Sequence, residues 1–428
     1  MVRINSKGVI NTSVLGFIAE FNPLHNGHLH FIKTAQEMED FSATICVMSG
    51  NFVQRGEAAV CNKWVRARMA LAAGVDLVLE LPFCFAVRSA YYFARGGIEL
   101  LNRTGVVSHL AFGSESGHLE ELQSIAKTIA HETQDFKNYL KNYLAQGLSF
   151  PVARARTIQF IMGESIPDLE YILMQPNNIL ALEYLRVLEQ EAWPLLPITI
   201  PRIGSGYHTP EVSPFASATA IRYDLLEHRS AHRIKDSVPP AILTLLEQEM
   251  NAGRAPVSLK AFESAILAKL RTTPLDMLRL TYETSEGLEH RIQTAANSSG
   301  TLEELIRSIK SKRYSSTRIN RLLLYIMLDI QAKHILNFDQ HGPLYMHILG
   351  FSTQGRKILQ EIKNKSALRL LNRGSEVKGA CHDIKQPALQ AMLALDVKAT
   401  DIYTLLYPQS SYRHGSQDFT TSPIIIGD

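Results

Sequence analysis

The chain has 428 residues, 46% of them hydrophobic and 20% charged, with a formal net charge of +3. That length suffices for two or three domains with their own cores, and so small a net charge excludes a protein that is polycationic throughout, so nucleic-acid contact must come from local clusters. Cys46, Cys61, Cys84 and Cys381 are far apart with no Cys-x-x-Cys, no apolar run approaches a membrane span, and the N-terminus lacks a signal-type pattern, so reduced thiols, no membrane association and a cytoplasmic location are expected.

Residues 1–12 read as a loose extension, and 13–240 as an α/β domain. Val14 to Ile18 is an apolar run of strand length that Asn22-Pro23 breaks. Leu29, Ile32, Ala35 and Met38 then set a helical period over Gly27 to Met38. His25 and His28 therefore fall between a strand and a helix, where open α/β sheets bind nucleotides. Gly27 lets backbone approach a phosphate, the helix start supplies N–H donors, and imidazoles can donate to charge growing on a leaving pyrophosphate. Two plainer readings stand beside this one. In one the histidines simply finish a turn, and in the other they form a metal pair, for which no neighbouring Cys, Asp or Glu set completes the coordination; no metal site is expected.

Alternation continues with strands at Ala43 to Met48, Asp76 to Leu81 and Val107 to Phe112, and helices at Lys63 to Ala73 and Ala90 to Asn102. This predicts a Rossmann-like, doubly wound parallel sheet. Leu119 to Leu144 is polar and helical and reads as an insertion or lid, after which a helix over Asn178 to Gln190 and a strand over Leu195 to Ile200 resume the pattern. Ser49 to Gly56 follows the second strand as a substrate loop, Gly113 ends the fourth, and Asn177 and Asn178 precede a helix. Arg202, Ser205, Gly206, Tyr207 and His208 leave the last strand. Ser217, Thr219 and Arg222 open a further helix, where hydroxyls and a guanidinium can clamp β- and γ-phosphates opposite the histidines. An ion pair between Arg222 and a carboxylate is the plainer alternative.

From 241 to 428 leucine-rich helical patterns dominate, predicting a mainly helical C-terminal domain. Between Glu304 and Asp329 stand Arg307, Lys310, Lys312, Arg313, Arg318 and Arg321 without an acidic neighbour, with Tyr314 available to stack. A second basic stretch holds Arg356, Lys357, Lys363, Lys365, Arg369 and Arg373. A solvated helix face explains one such run; two in one domain make it a candidate RNA-binding surface, centred on Lys312, Arg313, Arg318 and Arg321.

Seven blocks in order carry a resemblance: Phe17 to His28, Met48 to Glu57, Asp76 to Phe83, Ala111 to Glu115, Pro176 to Leu180, Arg202 to His208 and Ala216 to Arg222. Together they resemble the bacterial tRNA(Met) cytidine acetate ligase family, and the likeness runs more weakly into Gly355-Arg356. The resemblance implies that ATP and acetate form a bound acetyl-adenylate with release of pyrophosphate, and that the acetyl group passes to N4 of the wobble cytidine of elongator tRNA(Met). It also implies that ATP is held by Ile18, Ala19, Glu20, Phe21, Asn22, Pro23, Gly27, His28 and Phe31, with Gly113, Asn177 or Asn178, and Arg202. Mg2+ is expected beside the nucleotide. His25, His28, Ser217, Thr219 and Arg222 are the expected catalytic set. Competing readings are an adenylyltransferase acting on a small phosphorylated metabolite, which needs no RNA surface, and a non-catalytic nucleotide-dependent RNA adaptor.

Overall fold

The computed structural model describes residues 13–163, 165–203, 214–285 and 287–427, so the extension 1–12 and the loop residues Ser205, Gly206, Tyr207 and His208 lie outside it. Five parallel strands form the heart of the fold: β1 (Val14–Ala19), β2 (Ala43–Ser49), β3 (Leu77–Leu81), β4 (His109–Ser114) and β5 (Leu196–Pro201), in the order β5-β4-β1-β2-β3. Successive side chains point to opposite faces. Val14, Ile45, Val47, Leu77 and Leu79 accordingly enter one core, while Leu15, Phe17, Cys46, Met48 and Val78 enter the other. A sheet covered on both faces needs mostly apolar strands; β1 is apolar throughout, and β2 and β3 are nearly so.

The chain steps from β1 through β2 to β3 on one side and returns to β4 on the other, so the order reverses between β1 and β4. The crevice beyond the carboxyl ends of those two strands is the ligand position of such sheets. Helix α1 (Asn26–Glu37) starts at this crevice and α2 (Lys63–Ala72) follows β2. The Ala90–Arg103 helix lies so close on β1 that a Cβ at Gly97 would stand 2.4 Å from Ile18 Cδ1.

Two expectations are amended. Leu119 to Leu144 is no single lid: it forms the helices Leu119–Ala130 and Gln134–Ala145, and the first buries Leu122, Ile125, Ala126 and Ile129 in the core beside the Pro176–Glu191 helix. The part after residue 240 is mainly helical, as expected, but it carries strands too. β6 (Tyr345–Ser352) pairs antiparallel with β3, and its other edge takes β7 (Arg369–Leu371) and β8 (Ile424–Ile426), so the C-terminal part completes the sheet of the N-terminal part. Two of these strands have three residues each, too short to show a period.

The same C-terminal return builds a buried ionic cluster. Lys63 Nζ lies 2.7 Å from Glu80 and 2.6 Å from Asp418, and His347 Nδ1 lies 2.6 Å from Glu80. Burial alone would raise the Glu80 carboxyl, but Lys63 and His347 outweigh it and hold the pKa low. Glu80, His347 and Asp418 stand close enough to share a cation, and the Lys63 ammonium supplies that charge. Lys63→Met would leave Glu80 and Asp418 buried without it, and a loss of about 3–5 kcal/mol is expected, read as a lowered denaturation midpoint. An unchanged midpoint would mean that the cluster contributes nothing net.

Candidate nucleotide site

The turn from β1 into α1 is fixed by its own side chains. His25 is the N-cap of α1: its Nδ1 accepts the Gly27 N–H at 3.0 Å, and its own N–H donates to His28 Nδ1 at 3.3 Å, a reciprocal capping box. Gly27 is needed here, because a Cβ would stand 2.9 Å from the His25 ring. The two rings lie against each other with centroids 3.9 Å apart, and Phe21 packs edge-on to His28. Burial, with Arg202 and Arg222 nearby, lowers His25 to about 3; burial, with His25 and Arg202, lowers His28 well below the usual histidine value. Both imidazoles are therefore neutral. Since each Nδ1 accepts from backbone, each proton sits on Nε2, which leaves two oriented donors for an anion.

The expected partners across the crevice come to the same turn. Ser217 caps the Ala218–His228 helix by accepting from Ala220 N at 3.2 Å. Arg222, one turn on, donates to the carbonyl of Asn22 at 3.1 Å, to Glu57 at 3.1 Å and to Thr219 Oγ1 at 3.2 Å. Asn26 adds a second tie, donating to the carbonyls of Pro214 and Asp236 at 2.9 and 2.8 Å. The ion pair with Glu57 bears out the plainer reading of Arg222, and the same guanidinium also reaches the turn that carries the two histidines.

Beyond β4, Gly113 would place a Cβ in ordinary contact with Arg202, 3.6 Å from its Cγ. Arg202 donates to Asn177 Oδ1 at 3.1 Å. Asn178 is fully buried and accepts from the backbone N–H groups of Glu115 and Ser116, while Glu115 in turn accepts from the backbone N–H groups of Asn177 and Asn178. The two asparagines thus differ: Asn177 reaches toward Arg202 at the crevice and Asn178 braces the loop. Ile18 and Ala19 end β1, Pro23 lies in the turn, and Phe31 packs edge-on to Phe17 beneath it. Asn22 accepts from Val60 N at 2.8 Å, and its Nδ2, like that of Asn178, is a buried donor without a partner among the described residues.

Arg66 escaped sequence reasoning, whereas Gln54 lies in the Ser49 to Gly56 loop already read as a substrate loop. Arg66, fully buried in α2, donates to the carbonyls of Glu20, Ser49, Gly50 and Cys61, so it fixes the ends of β1 and β2 together. Gln54 links the Ser49 to Gly56 loop to the site: its N–H donates to Glu20 Oε1 at 2.6 Å and its side chain to the Arg88 carbonyl at 2.8 Å. A buried arginine in an apolar helix was the one available signal. On the helical side, Lys312 and Arg313 are exposed and Arg318 is half-buried over the Tyr314 ring. Arg321 is instead buried, paired with Glu283 at 3.4 Å and with its backbone under Gly56. Tyr314 is buried too, so neither is placed to meet a phosphate or base directly.

Residues 12–418 match the family model described as HIGH Nucleotidyl Transferase. A tRNA(Met) cytidine acetate ligase of Syntrophomonas wolfei is 55% identical over 412 residues, 96% of this chain and 99% of that protein. One of Halothermothrix orenii is 41% identical over 416 residues, 95% of this chain and 98% of that protein. The crystal structure of Thermotoga maritima TmcAL bound with alpha-thio ATP superposes with a TM-score of 0.91 at 34% identity, covering 97% of this chain and 100% of that one.

Proposed function

Since the chain belongs to the HIGH nucleotidyl transferases and, among them, to the tRNA(Met) cytidine acetate ligases, we propose that it ligates acetate to N4 of the wobble cytidine (C34) of elongator tRNA(Met) at the expense of ATP. An acetate oxygen attacks the α-phosphorus, the bond to the β-phosphate bridge breaks, and pyrophosphate leaves. The resulting acetyl-adenylate stays bound until the cytidine amine attacks its carbonyl carbon and AMP departs. The observation that carries this reading is the Arg222 guanidinium on the Asn22 carbonyl, which joins the imidazole turn to the hydroxyl-bearing helix start across one crevice.

In that crevice the Nε2–H groups of His25 and His28 donate to the departing pyrophosphate from one side. Ser217, Thr219 and Arg222 hold it from the other, and stabilisation of this preorganised kind needs little covalent help from the protein. Gly113, Asn177 and Arg202 line the side beyond β4, where the nucleoside lies, and Asn178 holds that loop in shape. The unpartnered Nδ2 groups of Asn22 and Asn178 are donors left over for ligand or water. Mg2+ bound with the nucleotide would supply charge neutralisation on the triphosphate. No helix of the described residues is long and apolar enough to cross a membrane, in keeping with a tRNA substrate met in the cytoplasm.

The nucleotide part is assigned to 13–240 and RNA contact to the helical part from 241, through exposed Lys312 and Arg313 with Arg318 beside them. Changing Lys312 and Arg313 to Glu should weaken tRNA binding and shrink the slope of log affinity against log salt by about 1–2, one step per lost phosphate contact. An unchanged slope would remove both from the interface. The function itself is tested by supplying ATP and labelled acetate with and without tRNA(Met), then identifying the modified nucleoside by mass. N4-acetylcytidine is expected; an adenylyltransferase of small metabolites would leave the tRNA unlabelled.

A further inference from the structure

Acyl transfer to cytidine releases a proton from N4, and the other carboxylates at the crevice are occupied: Glu57 pairs with Arg222, and Glu115 accepts from Asn177 and Asn178. Glu20 differs. It directly follows β1 at the crevice, and solvent reaches it although the protein surrounds it on most sides. Its Oε1 accepts the Gln54 N–H at 2.6 Å, which fixes the carboxylate plane, and among the described residues no donor is recorded on Oε2. We propose that Glu20 is the proton acceptor in the second half-reaction, a role that rests on the acetate-ligase reading above.

The step balances without further reagents. The N4 lone pair forms a bond to the acetyl carbonyl carbon, the bond from that carbon to the adenylate oxygen breaks, and AMP keeps that electron pair. The proton lost from N4 passes to Oε2 of Glu20 and then to solvent. A cytosine amine is a weak nucleophile because its lone pair is delocalised into the ring, so removal of its proton as the bond forms is worth more than for an alkylamine.

The surroundings suit a base. Burial raises the Glu20 carboxyl above its ordinary value, with Gln54 N–H, Arg222 and Arg55 pulling it back and Glu57 pushing it up. Arg66 and Tyr184 also face it, from α2 and from the Pro176–Glu191 helix. A carboxylate that is fully desolvated would stay protonated, and one in open water would be a feeble base. Arg222, which donates to the Asn22 carbonyl and to Glu57, also pulls on the Glu20 carboxyl, so Glu20 shares the turn where the phosphates are proposed to bind. The base therefore stands at the proposed nucleotide crevice, at the end of β1.

The two half-reactions separate this role from nucleotide holding. Acetate-dependent exchange of labelled pyrophosphate into ATP reads the first, and single-turnover transfer from preformed enzyme-bound acetyl-adenylate to tRNA(Met) reads the second. Glu20 also belongs to the turn expected to hold ATP, so the ratio of the two rates carries the test: with the full chain, Glu20→Gln should lower transfer relative to exchange by about 10²–10⁴-fold, the span for a positioned general base. Wild-type transfer should fall as pH drops through the Glu20 pKa, and the Gln variant should lose that limb. Glu20→Asp, one methylene shorter, should restore part of the transfer rate and the limb with it, and it carries the test if the Gln variant does not fold. Equal loss in both half-reactions in either variant, or unimpaired transfer in the Gln variant, would overturn the assignment. Absence of any tRNA product from the wild-type protein would overturn the acetate-ligase reading instead.

Discussion

Replacing His28 with Ala is expected to cut acetate-dependent pyrophosphate exchange by about 10²–10³-fold, as for loss of one donor to developing charge, while tRNA affinity is retained. The variant also removes half of a capping box, so a stability loss of about 1 kcal/mol accompanies it. His25→Asn separates the two effects. Asn keeps an oxygen for the Gly27 N–H but lacks the distal Nε2 donor, so the cap survives and exchange falls all the same. Exchange that tracks melting temperature through both variants would mean that the histidines only cap the helix. Protonation adds a further check. Burial holds His25 at about 3 and His28 well below the usual histidine value, so exchange should show no limb from an ordinary imidazole near pH 6.5. Stability moves differently: the unfolded chain takes up protons that the folded one refuses, so folding is supported above about pH 6.5 and weakens as pH falls below it.

Arg222→Ala should have the second large effect. Its guanidinium spans the Asn22 carbonyl, Glu57 and Thr219 at 3.1–3.2 Å, so truncation opens the clamp and leaves the Glu57 carboxylate uncompensated near the triphosphate. Exchange is expected to fall by about 10²-fold with a raised KM for ATP, and Arg222→Lys should recover little, because a single ammonium cannot reproduce a planar fork that reaches three acceptors. Rates near wild type in the Lys variant would show that charge alone suffices.

Much of this arrangement was legible in the residues. Strand and helix periods from Val14 to Phe112 are long and bounded by Gly, Pro and Asn, so the parallel sheet and its switch point follow from pattern, and the Asn22-Pro23 break places the histidines at the crevice. The cap at Ser217 was equally legible, since a hydroxyl before a helical period has one common use. Legibility fails where the cause is distant in sequence. β6 joins β3 across 267 residues between paired Glu80 and His347, and nothing near Tyr345 announces an antiparallel partner. Arg321 lies in a run of unopposed charges, yet its partner Glu283 comes from a different segment, so a charge count mistook a buried ion pair for surface. Arg66 and Gln54 hold the crevice through backbone carbonyls and N–H groups, which leave no mark on composition.

The central claim, a triphosphate gripped between imidazoles and a guanidinium while acetate attacks, is tested most directly by pyrophosphate exchange into ATP in the absence of tRNA. The wild-type protein should catalyse exchange only when acetate is present, and His28→Ala and Arg222→Ala should each abolish most of it. Exchange that proceeds without acetate, or that survives both substitutions, would contradict the account.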